Sequence, residues 1–162
     1  MTPIVLLDEL KKFIEEHIKD IILSVRVRGS SGELSERPAE VHKMRLPDKD
    51  AEIKLIPYIL LQFLTGKDEQ EEGQSAESEC KIRIVVATYS EDGGEGALDV
   101  LNLLTRIRIA LLKTGIIGKQ FLIKKPLEYI VYPDSTAPFY MGEMLTIWEI
   151  PEVEREVEGL WL

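Results

Sequence analysis

The chain has 162 residues, a hydrophobic fraction of 44%, a charged fraction of 30% and a net charge of −9, which suits one domain able to bury roughly two-thirds of the surface its unfolded form exposes. A single cysteine, Cys80, excludes an intrachain disulfide framework and points to a reducing compartment. No apolar run reaches the length of a membrane span, and Asp8, Glu9, Glu15 and Glu16 stand where a signal peptide would be apolar, so the expectation is a cytoplasmic protein.

Charge is concentrated in two places. Residues 65–79 carry six acids against Lys67, and residues 149–162 carry five acids against Arg155, so the remaining body is neutral. Acidity confined to a loop and a tail argues against sequence-independent DNA binding by those segments.

Thr2 and Pro3 predict an N-cap followed by proline at the first helical position. Ile4, Leu7, Leu10, Phe13, Ile14, Ile18, Ile21 and Ile22 then recur at helical spacing, which predicts an amphipathic helix ending near Leu23. His17 lies in that apolar stripe and has no second histidine or cysteine at ligand spacing, so it is read as packed and not as a metal ligand. Val25–Arg28 begins a candidate strand. Residues 29–38 are rich in glycine, serine and charge without periodicity, a segment expected to be mobile or ordered only by a partner.

AEVHKMRL, from Ala39 to Leu46, alternates weakly and stops at Pro47, a short strand at best. IKLIPYILLQFL, from Ile53 to Leu64, is stronger, and Pro57 places its ladder from Tyr58 onward. Its near-continuous apolar character calls for cover on both faces. GKDEQEEGQSAESE follows without one aromatic or branched aliphatic residue and predicts a mobile hairpin loop, about 65–79, between two strong strands. KIRIVVATY, Lys81 to Tyr89, is the best strand candidate, with its central run covered twice. Cys80 at its start is a small strand residue.

SEDGGEG, Ser90 to Gly96, joins a strand to a helix as a phosphate loop does, but Glu91, Asp92 and Glu95 would repel an anion and no lysine follows, so a turn with a helix cap is the better reading. The next stretch, GALDVLNLLTRIRIALLKTG from Gly96 to Gly115, predicts a helix of about five turns that ends at Lys113 and Gly115. Its apolar residues cover more than half the circumference and leave a narrow wet strip of Asp99, Asn102, Arg106 and Lys113. One sheet contact would not consume that surface, so a second helix or a neighbouring subunit is expected to cover it. Arg108 falls inside the apolar sector, where a guanidinium either snorkels to the rim or pairs with a carboxylate of another subunit.

QFLIKKPLEYIVY, Gln120 to Tyr132, alternates except at Lys125 and Pro126, which predicts a bulge or an edge position. FYMGEMLTIWEI returns as its antiparallel partner before Pro151, with Tyr140 and Trp148 read as sheet packing. Residues 152–162 form an acidic tail. The order of elements gives one α+β domain spanning 1–162, in which one sheet carries helices on one face.

The chemistry of catalysis is not visible. His17 and His42 are the only histidines, neither beside an activating turn, and Glu15-Glu16 and Glu71-Glu72 are solvated neighbours. No cysteine pair, histidine cluster or calcium-binding loop is present in the sequence. The expectation is therefore no catalytic residue, no cofactor site and no metal site. Arg106, Arg108, Lys113, Lys119, Lys124 and Lys125 outnumber nearby acids but lack interleaved exposed aromatics, which makes a poor nucleic-acid platform. They complement the acidic loop and tail, and that complementarity suggests head-to-tail contact between copies, closing into a ring. Arg106 and Arg108 are the candidate subunit contacts, with Glu128 or Glu143 as partners. Lys67, Asp68, Glu69, Glu71 and Glu72 form the candidate contact loop.

The succession AEVHKMRLP, IPYILLQFLTGKDE, IRIVVATYSED, LDVLNLLTRIRIALL, FLIKKPLEYIVYPD and APFYMGEMLTIWEIP, over about two-thirds of the chain, resembles the tail terminator, or tail-completion, proteins of long-tailed bacteriophages and prophages. One departure is Ala97, where the family tends to have an aromatic residue after the glycine. The resemblance implies an α+β fold with a mixed sheet and a homo-hexameric ring at the head-proximal end of the tail. It also implies partners in the tail tube protein and the head connector or neck protein, assembly in the bacterial host cytoplasm, a final place in the virion tail, and no enzyme activity or cofactor. Neither sequence-specific nucleic acid nor membrane is an expected partner. The alternatives are a head-completion or neck protein of the same machinery, a small regulatory metabolite-binding α+β domain, and an unrecognised hydrolase.

Overall fold

A computed structural model describes residues 2–25, 35–47, 56–91, 93–135 and 137–156. The chain folds as α1 (Pro3–Ile18), β1 (Leu23–Val25), β2 (Ser35–Arg37), β3 (Glu40–Lys43), β4 (Tyr58–Glu69), β5 (Glu77–Tyr89), α2 (Gly93–Thr114), β6 (Ile116–Ile117), β7 (Phe121–Val131) and β8 (Phe139–Ile150). Six strands form one sheet in the order β3-β4-β5-β8-β7-β6. Only β3 and β4 run parallel within it, so the sheet is mixed and largely antiparallel. β1 and β2 make a separate two-stranded antiparallel piece.

Both helices lie on one face of the large sheet, as the α+β reading expects. α1 sends Leu6, Leu7, Leu10, Ile14 and Ile18 into the core, and α2 sends Val100, Leu103, Leu104, Ile107 and Leu111. Alternate residues of the central strands meet them: Ile59 and Leu61 of β4, Ile82, Ile84 and Val86 of β5, Met144 and Trp148 of β8. Trp148 is fully buried and its indole donates to Thr146 Oγ1 at 2.8 Å, which in turn donates to the Ile82 carbonyl at 2.9 Å. A second, smaller cluster of Ile56, Tyr58, Leu60, Val85 and Ala87 lies on the opposite face, against Leu46, Tyr89, Phe139 and Met141. That cluster is the double cover that the continuous apolar runs of β4 and β5 require.

Helix and sheet approach closely at two glycines. A Cβ on Gly142 would stand 2.7 Å from Val100 Cγ1 and 2.7 Å from the Ile130 carbonyl, and one on Gly96 would overlap the Tyr140 ring. Gly115 ends α2 at φ 74°, with its N–H donating to the Leu111 carbonyl at 2.9 Å, the left-handed cap that the Thr-Gly signal predicts.

Several expectations change. α1 stops at Ile18, before Leu23, because Ile21 leaves the helical stripe to enter the core and Leu23 opens β1. Thr2 occupies the N-cap position, yet its hydroxyl makes no capping hydrogen bond and its carbonyl alone receives the first turn. Within the segment 29–38, Ser35–Arg37 pairs with Leu23–Val25, while 29–34 lie outside the described residues, as do 26–28 of the candidate strand and 157–162 of the tail. The greatest difference is at 65–79. Ladder pairing continues from Thr65↔Lys81 to Glu69↔Glu77, so the expected mobile loop is a β-ribbon with a short turn. Composition missed this because backbone hydrogen bonds to β5, itself held by β8 through Ser78↔Ile150, order the arm without apolar burial.

Candidate interaction surface

α2 presents three sectors to its surroundings. The sheet and α1 bury Val100, Leu103, Leu104, Ile107, Ala110 and Leu111. Leu98 stays 63% exposed, Leu101 42% and Ile109 42%, with Thr105 and Leu112 half-buried between them. At about 100° per residue these positions make one stripe about 80° wide on the outer side of the helix. The expected second helix therefore covers part of the apolar excess, and this stripe is the remainder.

The two arginines border the stripe from opposite flanks. Two residues apart on a helix means about 200° apart in projection, so Arg106 and Arg108 cannot share a partner. Arg106 turns toward α1, where it holds Asp20 with Nη1 2.9 Å from Oδ1 and also donates to the His17 carbonyl at 3.2 Å. The Arg106 guanidinium is the first cause of an Asp20 carboxyl held below its usual range. Arg108 turns toward β7, with its guanidinium 5.8 Å from the centre of the Tyr129 ring. Tyr129 is 45% exposed, so this corner remains open to solvent.

Glu128 and Glu143 are not the partners of these arginines within the chain. Tyr129 pairs with Met144 on the helix-bearing face, so Glu128, paired with Leu145, and Glu143, paired with Ile130, point to the other face. There Glu143 forms an ion pair with Arg83, whose guanidinium also reaches Gln62 Oε1 at 3.1 Å and the Tyr132 hydroxyl at 3.0 Å. Sequence reasoning passed over Arg83, although the alternation of KIRIVVATY sets it on the face opposite Ile82 and Ile84. Lys124 on the same face pairs with Glu79 at 3.3 Å. Lys125, Lys119 and Lys113 make no ion pair among the described residues, and nor does Glu128.

On the ribbon, every residue from Leu64 to Ser75 is exposed. Lys67 pairs with Glu69 at 3.0 Å, which raises the lysine pKa, and Asp68 accepts from the Ser78 hydroxyl at 2.6 Å. Glu71 and Glu72 sit at the turn with no ion pair among the described residues. Thus of the five candidate loop residues Asp68 alone bonds across the ribbon, Lys67 and Glu69 pair along one strand, and Glu71 and Glu72 make no ion pair among the described residues.

A concavity of about 620 Å³ lies between α1 and the β2–β3 segment. Within its lining Lys11 pairs with Glu15 at 2.6 Å and Arg37 donates to the Pro38 and Pro57 carbonyls, whereas the buried His42 Nε2, 3.5 Å from Glu40, has no hydrogen-bond partner among the described residues. His17 is half-buried against Phe13, with ring centres 4.1 Å apart and planes tilted by 35°, and with Nδ1 2.8 Å from the Phe13 carbonyl. Among the described residues no group of three or more His, Cys, Asp or Glu could hold a metal ion, and no helix is long and apolar enough to cross a membrane.

The sequence matches no protein-family model and no curated protein.

Proposed function

We propose that this chain is a non-enzymatic structural protein of a phage or prophage tail, a tail terminator. In this reading it assembles as a homo-hexameric ring at the head-proximal end of the tail, stops polymerisation of the tube and offers the surface to which the head's connector docks. The observation that carries the reading is the apolar stripe of α2: Leu98, Leu101 and Ile109 remain in water after α1 and the sheet have covered the rest of the helix. A helix at the centre of a fold keeps such a stripe wet only at a cost, and a permanent neighbour removes that cost. The order of strand, acidic turn, long helix, interrupted strand and Trp-bearing last strand supports the same assignment, as does the engagement of Arg83, Arg106 and Lys124 in ion pairs within the fold.

The test is genetic and morphological. Disrupting the coding sequence in an inducible host is expected to give filled heads and tails of uncontrolled length that fail to join, with complementation restoring joined particles of uniform tail length. The protein should co-sediment with tail tubes; co-sedimentation with filled heads alone would transfer it to the neck. Normal particles in its absence would end the proposal.

A further inference from the structure

The ribbon is made by β4 and β5, whereas α2 packs across β8, β5 and β7 on the helix-bearing face, so the ribbon turn and the α2 stripe are separate surfaces of the chain. Their charges are opposite as well. Residues 65–79 carry six acids and one lysine, whereas residues 97–132 carry six bases and two acids. Within the chain some of this charge is neutralised, but what remains is asymmetric. Glu71 and Glu72 make no ion pair at the ribbon turn, and neither do Arg108 and Lys113 on α2, Lys119 in the β6–β7 turn or Lys125 on β7, among the described residues.

We propose that the β4–β5 ribbon of one copy seats on the α2 stripe and the Arg108–Tyr129 corner of the next copy, joining copies head to tail. This rests on the ring-forming reading and specifies its contact. Leu64, 45% exposed on the ribbon arm, supplies an apolar residue to meet Leu101 and Ile109, while Glu71 and Glu72 meet Arg108 and the lysines. In the ring-forming reading each copy offers its ribbon to one neighbour and its α2 stripe to the other, a heterologous contact of the type that closes into rings. Continuous sheet pairing along β7 is the weaker geometry. Lys124, Lys125 and Pro126 with the break in register between Lys124 and Glu128 guard that edge, so the seat is made by side chains.

Native mass spectrometry and sedimentation velocity of the full chain test the contact with two variants, Arg108→Glu in the seat and Glu71→Lys/Glu72→Lys at the ribbon turn. Each is expected to weaken self-association by on the order of tenfold or more without altering the circular dichroism spectrum. Because the ribbon turn is wholly exposed, the double variant tests the contact even if Arg108→Glu disturbs packing on Tyr129. Mixing the two variants is the sharper measurement. In the mixture the unmutated ribbon of one variant meets the unmutated seat of the other, and the two reversed halves form a charge-swapped pair, so species larger than either variant makes alone should return. Wild-type rings that persist unchanged in both variants would overturn this contact and leave the ring reading intact, whereas a wild-type chain that stays monomeric and leaves tails uncapped would overturn both.

Discussion

At the residue scale, the positions that tolerate least are those where helix and sheet touch without room for a side chain. Gly142 is the clearest, held between Val100, Leu104 and the Ile130 carbonyl. Gly142→Ala is expected to destabilise the fold by about 1–3 kcal/mol, since backbone and branched side chains must move to admit one methyl, and urea denaturation followed by fluorescence would measure it. Cys80 gives a complementary test. Burial pushes its thiol up to about 11, with Glu79 adding to the shift, so almost no thiolate exists at neutral pH. Alkylation of the native protein should therefore be slow and should accelerate in step with global unfolding as urea is added; rapid labelling in buffer would mean that the β5–β8 seam opens locally. The sequence marked Cys80 as a small strand residue and Trp148 as packing, because alternation alone assigns a strand residue to a face. It did not mark Gly142, since the close approach depends on where α2 crosses β8.

Elements are tied together by charge at their ends. Arg106 holds Asp20 beyond the C-terminus of α1, and Lys43 of β3 holds Asp8 of the same helix. Both carboxyls have lowered pKa values, the first through its hydrogen bond from Arg106 and the second through its hydrogen bond from Lys43. An acid whose folded pKa is depressed contributes stability above the unfolded value, near 3.8, and loses it as pH falls through the folded value. Asp20→Asn should consequently lower the urea midpoint at neutral pH and match the wild type in strong acid. A difference that survives in acid would show that the hydrogen-bond geometry of Asp20, and not its charge, fastens the helices. Asp99 has the opposite sign: burial first, then Glu95, raise its pKa, so its ionisation costs stability as pH climbs from 3.8. Asp99→Asn is expected to stabilise the protein at neutral pH and to be silent below that range.

The start of α1 and the end of α2 were readable because Pro3 and Gly115 act locally, whereas α1 ends at Ile18 instead of near Leu23 and α2 begins at Gly93, inside the expected turn, instead of at Gly96. The short strands β1, β2 and β6 were not readable, because two or three residues carry no periodicity and exist only where a partner strand supplies hydrogen bonds. The pairing of Arg106 with Asp20 and of Arg83 with Glu143 likewise spans segments far apart in sequence, so residue type indicated the need for a partner without naming it.

For the whole molecule, the decisive property is the proposed match between the acidic ribbon turn of one copy and the apolar α2 stripe of the next with Arg108 at its border. Contacts between exposed charges weaken as salt shortens the screening length, to about 3 Å near molar ionic strength. Association of wild-type chains should therefore fall with added salt, by more than the Glu71→Lys/Glu72→Lys variant shows; salt-independent assembly would point to a purely apolar seat. Replacing residues 70–76 by a tight two-residue turn should leave thermal unfolding of the monomer nearly unchanged, because the Thr65–Glu69 arm keeps its β5 partners, while abolishing the larger species in native mass spectra.

The sequence by itself determined the α+β class, the long helix with more apolar surface than one sheet face could cover, the strand starting at Tyr58 and the interruption at Pro126. Each follows from local periodicity or from a backbone restriction that a residue carries wherever it sits. Tertiary structure decided which charges are engaged and which remain, that residues 65–79 become a ladder, and which part of α2 stays in water. Those outcomes depend on distances between segments remote along the chain, and no local pattern encodes them.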